Sequence, residues 1–288
     1  MEDIFMTDRL RSLLPTVRQF IETELIPLEA QFSYHNLPEI IRILDEKREK
    51  VKLAGLWGLQ LPESEGGPGL TLCEFGQLSE VLASAPFFGH YVFNCQAPDI
   101  GNMELINKFG SAEIKEQFLQ PLHEGHIRSC FAMTEPEFAG SDPTRLATSA
   151  LRTGDAYILN GHKWFTSSEE GAAFAVVMAV TDPEAAPHRR ASMIIVPTDT
   201  PGFQRIRKIP VFGEAGMGWF SHSEIRLTDC RVPVSNLIGT EGMGFKLAQE
   251  RLGPGRIHHC MRWIGHAEKA LDMMCRRAGT REIETGVM

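Results

Sequence analysis

No stretch of this 288-residue chain is apolar for long enough to cross a bilayer. The opening Met1-Glu2-Asp3-Ile4-Phe5 lacks the basic-then-apolar order of a secretory leader. The closing Thr285-Gly286-Val287-Met288 matches no retention or peroxisomal signal. These absences favour an intracellular protein, cytoplasmic as written, with mitochondrial or peroxisomal residence left open. Cations are in deficit: 29 Lys and Arg face 37 Asp and Glu, a formal charge of −8, which argues against nucleic acid or an anionic membrane surface as a partner. The six cysteines are scattered, with no C-x-x-C pair. That argues against a disulfide framework and favours reading them as small buried apolar residues. His123-Glu124-Gly125-His126 lacks the i, i+4 spacing of a zinc helix and reads as a solvated loop. There is no internal repeat and no low-complexity tract.

What is present is ordinary for a globular chain, 43% apolar and 23% charged, and long enough for two domains or one large one. The texture changes twice. The first part is helical. Val17, Phe20, Ile21 and Leu25 begin one stripe, Ile40, Ile41 and Leu44 another, and Phe75, Leu78, Val81 and Leu82 share a face. Between them lies the breaker-rich loop from Pro62 to Leu70. Two further helical segments, Leu105 to Phe109 and Ile114 to Phe118, follow, with Ser111 as N-cap of the second. From Ser129 the runs shorten into strands: Tyr157-Ile158-Leu159, Phe174 to Val180, Met193 to Val196 and Ile225 to Leu227. Asn160-Gly161 predicts a hairpin turn before Lys163-Trp164-Phe165. From Gly244 the helical period returns, with Ile257, Cys260, Met261, Ile264, Ala267, Leu271 and Met274 as an apolar stripe that needs a partner. Gly253-Pro254-Gly255 either starts this helix or kinks a longer one. The expected organisation is α+β and multidomain. It comprises an N-terminal helical domain (1–128), a central antiparallel β domain (129–236) and the first part of a C-terminal helical domain (237–288).

Two segments carry chemistry. Cys130-Phe131-Ala132-Met133-Thr134-Glu135-Pro136 runs from a small apolar strand through a hydroxyl into a loop ending Ala139-Gly140-Ser141-Asp142. A flavin ring needs hydrogen-bond partners at its polar edge and close backbone approach at its phosphates; Thr134 and its neighbouring amides suit the first, Gly140-Ser141 the second. Asn160-Gly161-His162-Lys163-Trp164-Phe165-Thr166-Ser167 offers two flat aromatic faces and a hydroxyl. Taken singly, the first reads more readily as a strand followed by a turn, and the second as an aromatic strand packed in a core. Gly213 to Gly218 and Gly239 to Gly244 read G-x-x-G-x-G, the reverse of the dinucleotide fingerprint, and have no clear acidic partner.

Together, the T-E-P…G-S-D loop and the N-G-x-K-W-x-T strand resemble the acyl-CoA dehydrogenase family. The resemblance extends through Leu61-Pro62-Glu63 to Leu70, Lys108-Phe109-Gly110 to Gly125, and Val232-Pro233 to Phe245. Arg251 to Arg262 resembles the narrower subgroup of family members ten and eleven. The resemblance implies FAD as cofactor, held by Phe131, Ala132, Met133, Thr134, Gly140, Ser141, Trp164, Phe165 and Thr166, with Arg281 near the family's arginine that reaches FAD of a neighbouring subunit. It implies an acyl-CoA substrate against Ser141, Gly253, Pro254, Gly255 and Arg256. Other implied partners are further copies in a homodimer or homotetramer and an electron-accepting flavoprotein. The reaction it implies introduces an α,β double bond: a carboxylate base of raised pKa takes the proton beside the thioester carbonyl while hydride leaves the next carbon.

The sequence departs from the family pattern in three places. The usual base lies beyond residue 288, and its alternative position is Gly255, which has no side chain; Glu250 is a weak candidate nearby. The T-E-P loop carries one extra residue at Glu137-Phe138. After Arg281 the pattern gives way to Glu282-Ile283-Glu284, so the chain is expected to be C-terminally truncated. Two functions are therefore weighed: an FAD-dependent acyl-CoA dehydrogenase, and an inactive flavin- or acyl-CoA-binding remnant that partners a full-length relative.

Overall fold

The computed structural model describes residues 6–32, 36–283 and 286–287, the last few by backbone alone. The N-terminal pentapeptide read for a leader, and Glu284, Thr285 and Met288 of the C-terminal reading, lie outside the described residues. The chain divides into two compact units, Met1–Gln96 with Pro254–Met288, and Ala97–Gly253.

The first unit is helical. Helix α1 (Asp8–Phe20) is capped by the Thr7 hydroxyl, which accepts from the Leu10 amide. Its three-and-four spacing buries Leu10, Leu14 and Val17, and a wider turn over Ile21–Leu25 continues the stripe with Ile21 and Leu25. Helix α2 (Leu37–Leu53) buries Leu37, Ile40, Leu44 and Val51. It also carries Arg48, whose guanidinium lies over the Trp57 and Tyr91 rings and donates to the Tyr91 carbonyl at 2.6 Å. Helix α3 (Leu72–Leu82) begins with a reciprocal Thr71/Glu74 capping box. Its expected face, Phe75, Leu78, Val81 and Leu82, is buried. Helix α4 (Gly89–Val92) is a single turn.

The second unit opens with helix α5 (Asp99–Phe109) and a helical run comprising α6 (Ala112–Ile114), a wide turn (Lys115–Leu119) and α7 (Gln120–His123). Ser111 caps the run as expected, accepting from the Ile114 amide at 3.2 Å. The rest of the unit is an eight-stranded sheet of β1 (Ser129–Ala132), β2 (Ser149–Thr153), β3 (Ala156–Ser167), β4 (Phe174–Val180), β5 (Ala191–Pro197), β6 (Phe203–Lys208), β7 (His222–Pro233) and β8 (Leu237–Ile238). The order is β6-β7-β3-β2-β4-β5-β8, with β1 beside β4. Most pairings are antiparallel, but β1 runs parallel to β4 and β2 touches β4 through one parallel bridge. The sheet is therefore mixed rather than purely antiparallel. Its core is a cluster of alternate inward residues, including Tyr157, Leu159, Val177, Ile194, Val196, Ile225 and Val232.

One local expectation fails. Asn160-Gly161 is not a turn; it lies inside the continuous strand β3, and the hairpin closes instead between Thr153 and Ala156. Neither residue has the positive φ that such a turn requires. Asn160 is held flat by its side chain, which accepts from the Asp229 amide at 2.9 Å and donates to the Asp229 carboxylate at 3.0 Å. Gly161 is small because Thr148 is close: a Cβ there would lie 2.3 Å from the Thr148 hydroxyl. The β3–β7 register slips at this point, so the dipeptide marks a bulge.

Of the two alternatives for Gly253-Pro254-Gly255, the longer helix is the one formed: α8 (Gly244–Thr280) contains all three residues. The apolar stripe expected to need a partner is left largely uncovered, since Ile257, Ile264, Leu271 and Met274 are all exposed. In the first unit the helix packs instead through Gly265, where a Cβ would lie 2.2 Å from the Glu80 carbonyl oxygen. Close backbone approach decides the face, fixed by His266 against the Ala83 carbonyl at 3.0 Å and Lys269 against Ser84 and Glu29.

Candidate functional site

The two segments singled out above meet inside the second unit. The Trp164 amide donates to the Thr134 carbonyl at 3.1 Å, and the Thr134 hydroxyl donates back to the Trp164 carbonyl at 2.8 Å. Beneath this pair lies a buried charge pair. The Lys163 ammonium, with no exposed surface, donates to the Glu135 carboxylate and to the Met133 carbonyl, both at 2.8 Å. Glu135 also accepts from the amides of Ala147 at 2.6 Å and Thr148 at 3.0 Å. Burial pushes the Glu135 carboxyl up, but Lys163 and these amide donors outweigh it and hold the carboxyl below its ordinary value. Burial likewise outweighs Glu135's attraction at Lys163 and brings the ammonium down to about 8. The T-E-P turn is thus pinned to the aromatic strand by a two-sided clamp.

A second bulge sets the side-chain directions. The β3–β7 register shifts between Lys163 and Thr166, so Trp164 and Phe165 together oppose one residue of β7. Phe165 adopts φ 48°, rare for an aromatic residue. The extra residue turns both Lys163 and Thr166 inward, although they are three apart. Phe165 is left 45% exposed, its ring 5.1 Å from that of Trp164. Thr166 is fully buried, and its hydroxyl has no partner among the described residues.

The loop after Pro136 is anchored where its extra residue falls. Glu137 meets His162 at 3.0 Å, and the Phe138 ring lies under Arg145. Gly140 and Ser141 are exposed, and a Cβ on Gly140 would lie 2.8 Å from the Thr134 methyl group. The loop therefore carries its open backbone next to Thr134.

Phe131 has a cationic neighbour that the motifs did not suggest. Arg251 lies over its ring at 3.9 Å. The guanidinium donates to Asn102 at 2.9 Å and to the Pro98 carbonyl at 3.2 Å. Asn102 in turn donates to the Ser129 hydroxyl at 2.9 Å, and Asp99 receives the Ser129 amide and hydroxyl at 2.7 and 2.6 Å. Gly101 makes room, since a Cβ would sit 3.1 Å from the guanidinium carbon. Burial lowers Arg251 to about 10 and raises the nearby Glu104 carboxyl to about 7.

The remaining expected residues are placed as follows. Ala132 is buried in β1, and Met133 is half-buried with its carbonyl on Lys163. Gly253, Pro254, Gly255 and Arg256 form consecutive positions of α8, with open space where a Cβ on either glycine would stand. Gly253 belongs to the second unit and the other three to the first. Arg281 is exposed just past the end of α8, its amide donating to the Arg277 carbonyl. Glu250 is paired with Lys108 at 2.6 Å, and that contact lowers its pKa.

Sequence reasoning overlooked the Lys163–Glu135 pair and the Asp99–Ser129–Asn102–Arg251 network. The signal for the first was a lysine amid apolar and aromatic residues of a strand, with a glutamate following the turn threonine. The second joins a helix, a strand and α8 across more than a hundred residues, and no local pattern announces it.

Comparison with known proteins places this geometry. Family profiles match in order: acyl-CoA dehydrogenase N-terminal domain over residues 7–126, middle domain over 130–230, and C-terminal domain over 242–287. The chain is 42% identical to mouse acyl-CoA dehydrogenase family member 10 over 96% of its own length and 27% of that protein's. It is 43% identical to family member 11 of Gallus gallus, over 94% of this chain and 36% of the relative. It thus spans about a third or less of these curated relatives. A solved structure from Mycobacterium abscessus, assigned to the acyl-CoA dehydrogenases, superposes with a TM-score of 0.89 at 39% identity, covering 96% of this chain and 72% of that one. On fold, motif order and likeness together, the chain belongs to the acyl-CoA dehydrogenase family.

Proposed function

We propose that this chain binds FAD and serves an acyl-CoA dehydrogenase reaction, forming an α,β double bond in an acyl-CoA thioester. The observation that carries the reading is the reciprocal Thr134–Trp164 pair, clamped from below by Lys163 and Glu135, with the unpartnered Thr166 hydroxyl beside it. A flat aromatic cofactor requires rigid apolar faces beside a polar group; the Thr134–Trp164 pair spends its own donors in holding turn to strand, and leaves the Thr166 hydroxyl to bond the ring. Phe131, Ala132, Met133, Thr134, Trp164, Phe165 and Thr166 would hold the ring, Gly140 and Ser141 the phosphates, and Arg281 the FAD of a second copy. When bound, the flavin supplies a two-electron acceptor for hydride. Ser141 and Gly253 would contact the acyl-CoA within the second unit, and an electron-accepting flavoprotein would reoxidise the cofactor.

The base is the weak point of full turnover. Proton abstraction near neutral pH calls for a carboxylate raised by burial, whereas Lys108 holds Glu250 below its ordinary value. That observation favours a second reading, flavin and acyl-CoA binding without turnover. Anaerobic mixing of the FAD-loaded chain with acyl-CoA separates the two. Bleaching of the flavin band supports dehydrogenation. A spectral shift without bleaching supports binding alone, and a chain that takes up no FAD refutes both.

A further inference from the structure

In the second unit, His162 stands between two carboxylates. Its Nδ1 lies 3.0 Å from Glu137 and its Nε2 2.9 Å from Glu224. The first partner belongs to the loop after Pro136. The second is on β7, where Arg207 of β6 donates to it at 2.7 Å. The two are not equally fixed: the Glu224 side chain is 13% exposed and the Glu137 side chain 49%. Other charges face the ring as well. Arg226 is its opposite residue on β7, and both line a cavity of about 380 Å³ together with Glu137. Glu135 lines the same cavity but is neutralised by Lys163 at 2.8 Å. Arg145, farther along the loop, lies over the Phe138 ring. On the other side of β3, β2 pairs from Ala156 to Asn160 and stops short of His162.

An ionised carboxylate only accepts hydrogen bonds, and a neutral imidazole has a single N–H. Both contacts are therefore hydrogen bonds only while the ring carries two protons. Glu224 brings no proton of its own at neutral pH, because the His162 hydrogen bond and Arg207 hold its carboxyl below the ordinary value. When the ring gives up one proton, one contact must go. The ring keeps its N–H toward Glu224, which is less exposed and already fixed by Arg207, and turns a lone pair on the Glu137 carboxylate. Histidine is the side chain that changes charge between about pH 5 and 8, and the cavity opens this ring to solvent. We propose that His162 is a pH-operated latch on the loop that carries Gly140 and Ser141, closed while the ring is doubly protonated and released as pH rises. The extra residue at Glu137-Phe138 supplies the loop's half of the latch. The consequence for the cofactor rests on the flavin reading above: a released loop holds the flavin phosphates more weakly.

The test is hydrogen–deuterium exchange of the flavin-free full chain, read at the Phe138 and Asp142 amides, which donate to the Glu135 and Ala139 carbonyls at 3.4 and 3.0 Å. Corrected for intrinsic exchange, their protection should fall roughly three- to tenfold from about pH 5.5 to about pH 8, while that of β4 stays level. His162→Gln, which does not titrate, should remove the pH response. Glu137→Gln should also remove it, but with the loop protected at both values, because a carboxamide accepts from a protonated ring and donates to a neutral one. Wild-type FAD affinity should fall over the same interval by a similar factor, and that of Glu137→Gln should not. The latch is overturned if wild-type loop protection is level with pH, or if His162→Gln responds as the wild type does. A loop that loosens while FAD affinity holds overturns its gating of the cofactor. A chain that takes up no FAD at either pH refutes the flavin reading, and the flavin-free exchange still decides the latch.

Discussion

Lys163→Met is the sharpest perturbation of the clamp beneath the candidate flavin site. Methionine matches the volume but leaves the Met133 carbonyl and one face of the Glu135 carboxylate without their 2.8 Å partner, in a place with no exposed surface. Breaking a buried pair from one side costs about 3–5 kcal/mol. Glu135 keeps its Ala147 and Thr148 amides, which places the expectation toward the lower end. Adding Glu135→Gln removes the stranded charge, so the double variant should lie about 1–3 kcal/mol above the sum of the single losses. The pair also has a pH signature. Glu135 is held below its ordinary value, so its contribution is present above the unfolded pKa and is lost as pH falls through the folded one. In Lys163→Met that loss should move to higher pH. Urea denaturation at neutral and acidic pH gives the energies. Hydrogen–deuterium exchange over residues 131–148 and 156–167 shows whether the loosening is local. A Lys163→Met variant within about 0.5 kcal/mol of wild type, with unchanged exchange, would refute the reasoning.

Four further outcomes follow from the same geometry. Gly161→Ala should lower stability by about 1–3 kcal/mol in a urea titration, because its Cβ meets the Thr148 hydroxyl at 2.3 Å. Thr166→Val should leave the flavin-free melting temperature unchanged or raised, because it deletes an orphaned hydroxyl, yet weaken FAD binding about tenfold by fluorescence titration. Glu104→Gln should stabilise the chain at about pH 8 by about 1–3 kcal/mol and do little near pH 4.5. Burial raises that carboxyl to about 7, so the native state holds the extra proton between its ordinary value and 7 and loses stability as pH rises across that window. Glu250→Gln should leave the melting curve unchanged, since it removes a solvent-facing pair with Lys108.

The sequence was most legible where a local rule and the tertiary structure agree. The Phe75-Leu78-Val81-Leu82 face, the Ser111 cap and the strands of β4 and β5 are each decided by period or by one side-chain hydrogen bond. It misled where a distant atom decides. Asn160-Gly161 has the residue types of a turn, but Thr148 and Asp229 use the missing side chain and the amide for a bulge. On α8 the close approach of Gly265 to α3 is likewise set by a distant backbone atom, which no period announces. At the site, the aromatic strand and hydroxyl turn were readable as residue types. Their reciprocal hydrogen bonds and the bulge at Phe165 required the fold.

On the proposed reading, Thr134, Trp164 and Thr166 hold one flavin ring between them. A titration of free FAD with the purified chain, read by flavin fluorescence, tests it most directly. Saturable quenching near one flavin per chain, weakened at least tenfold by Trp164→Ala, is the predicted result. Fluorescence that stays at its free value, or a Trp164→Ala curve that overlays wild type, would contradict it.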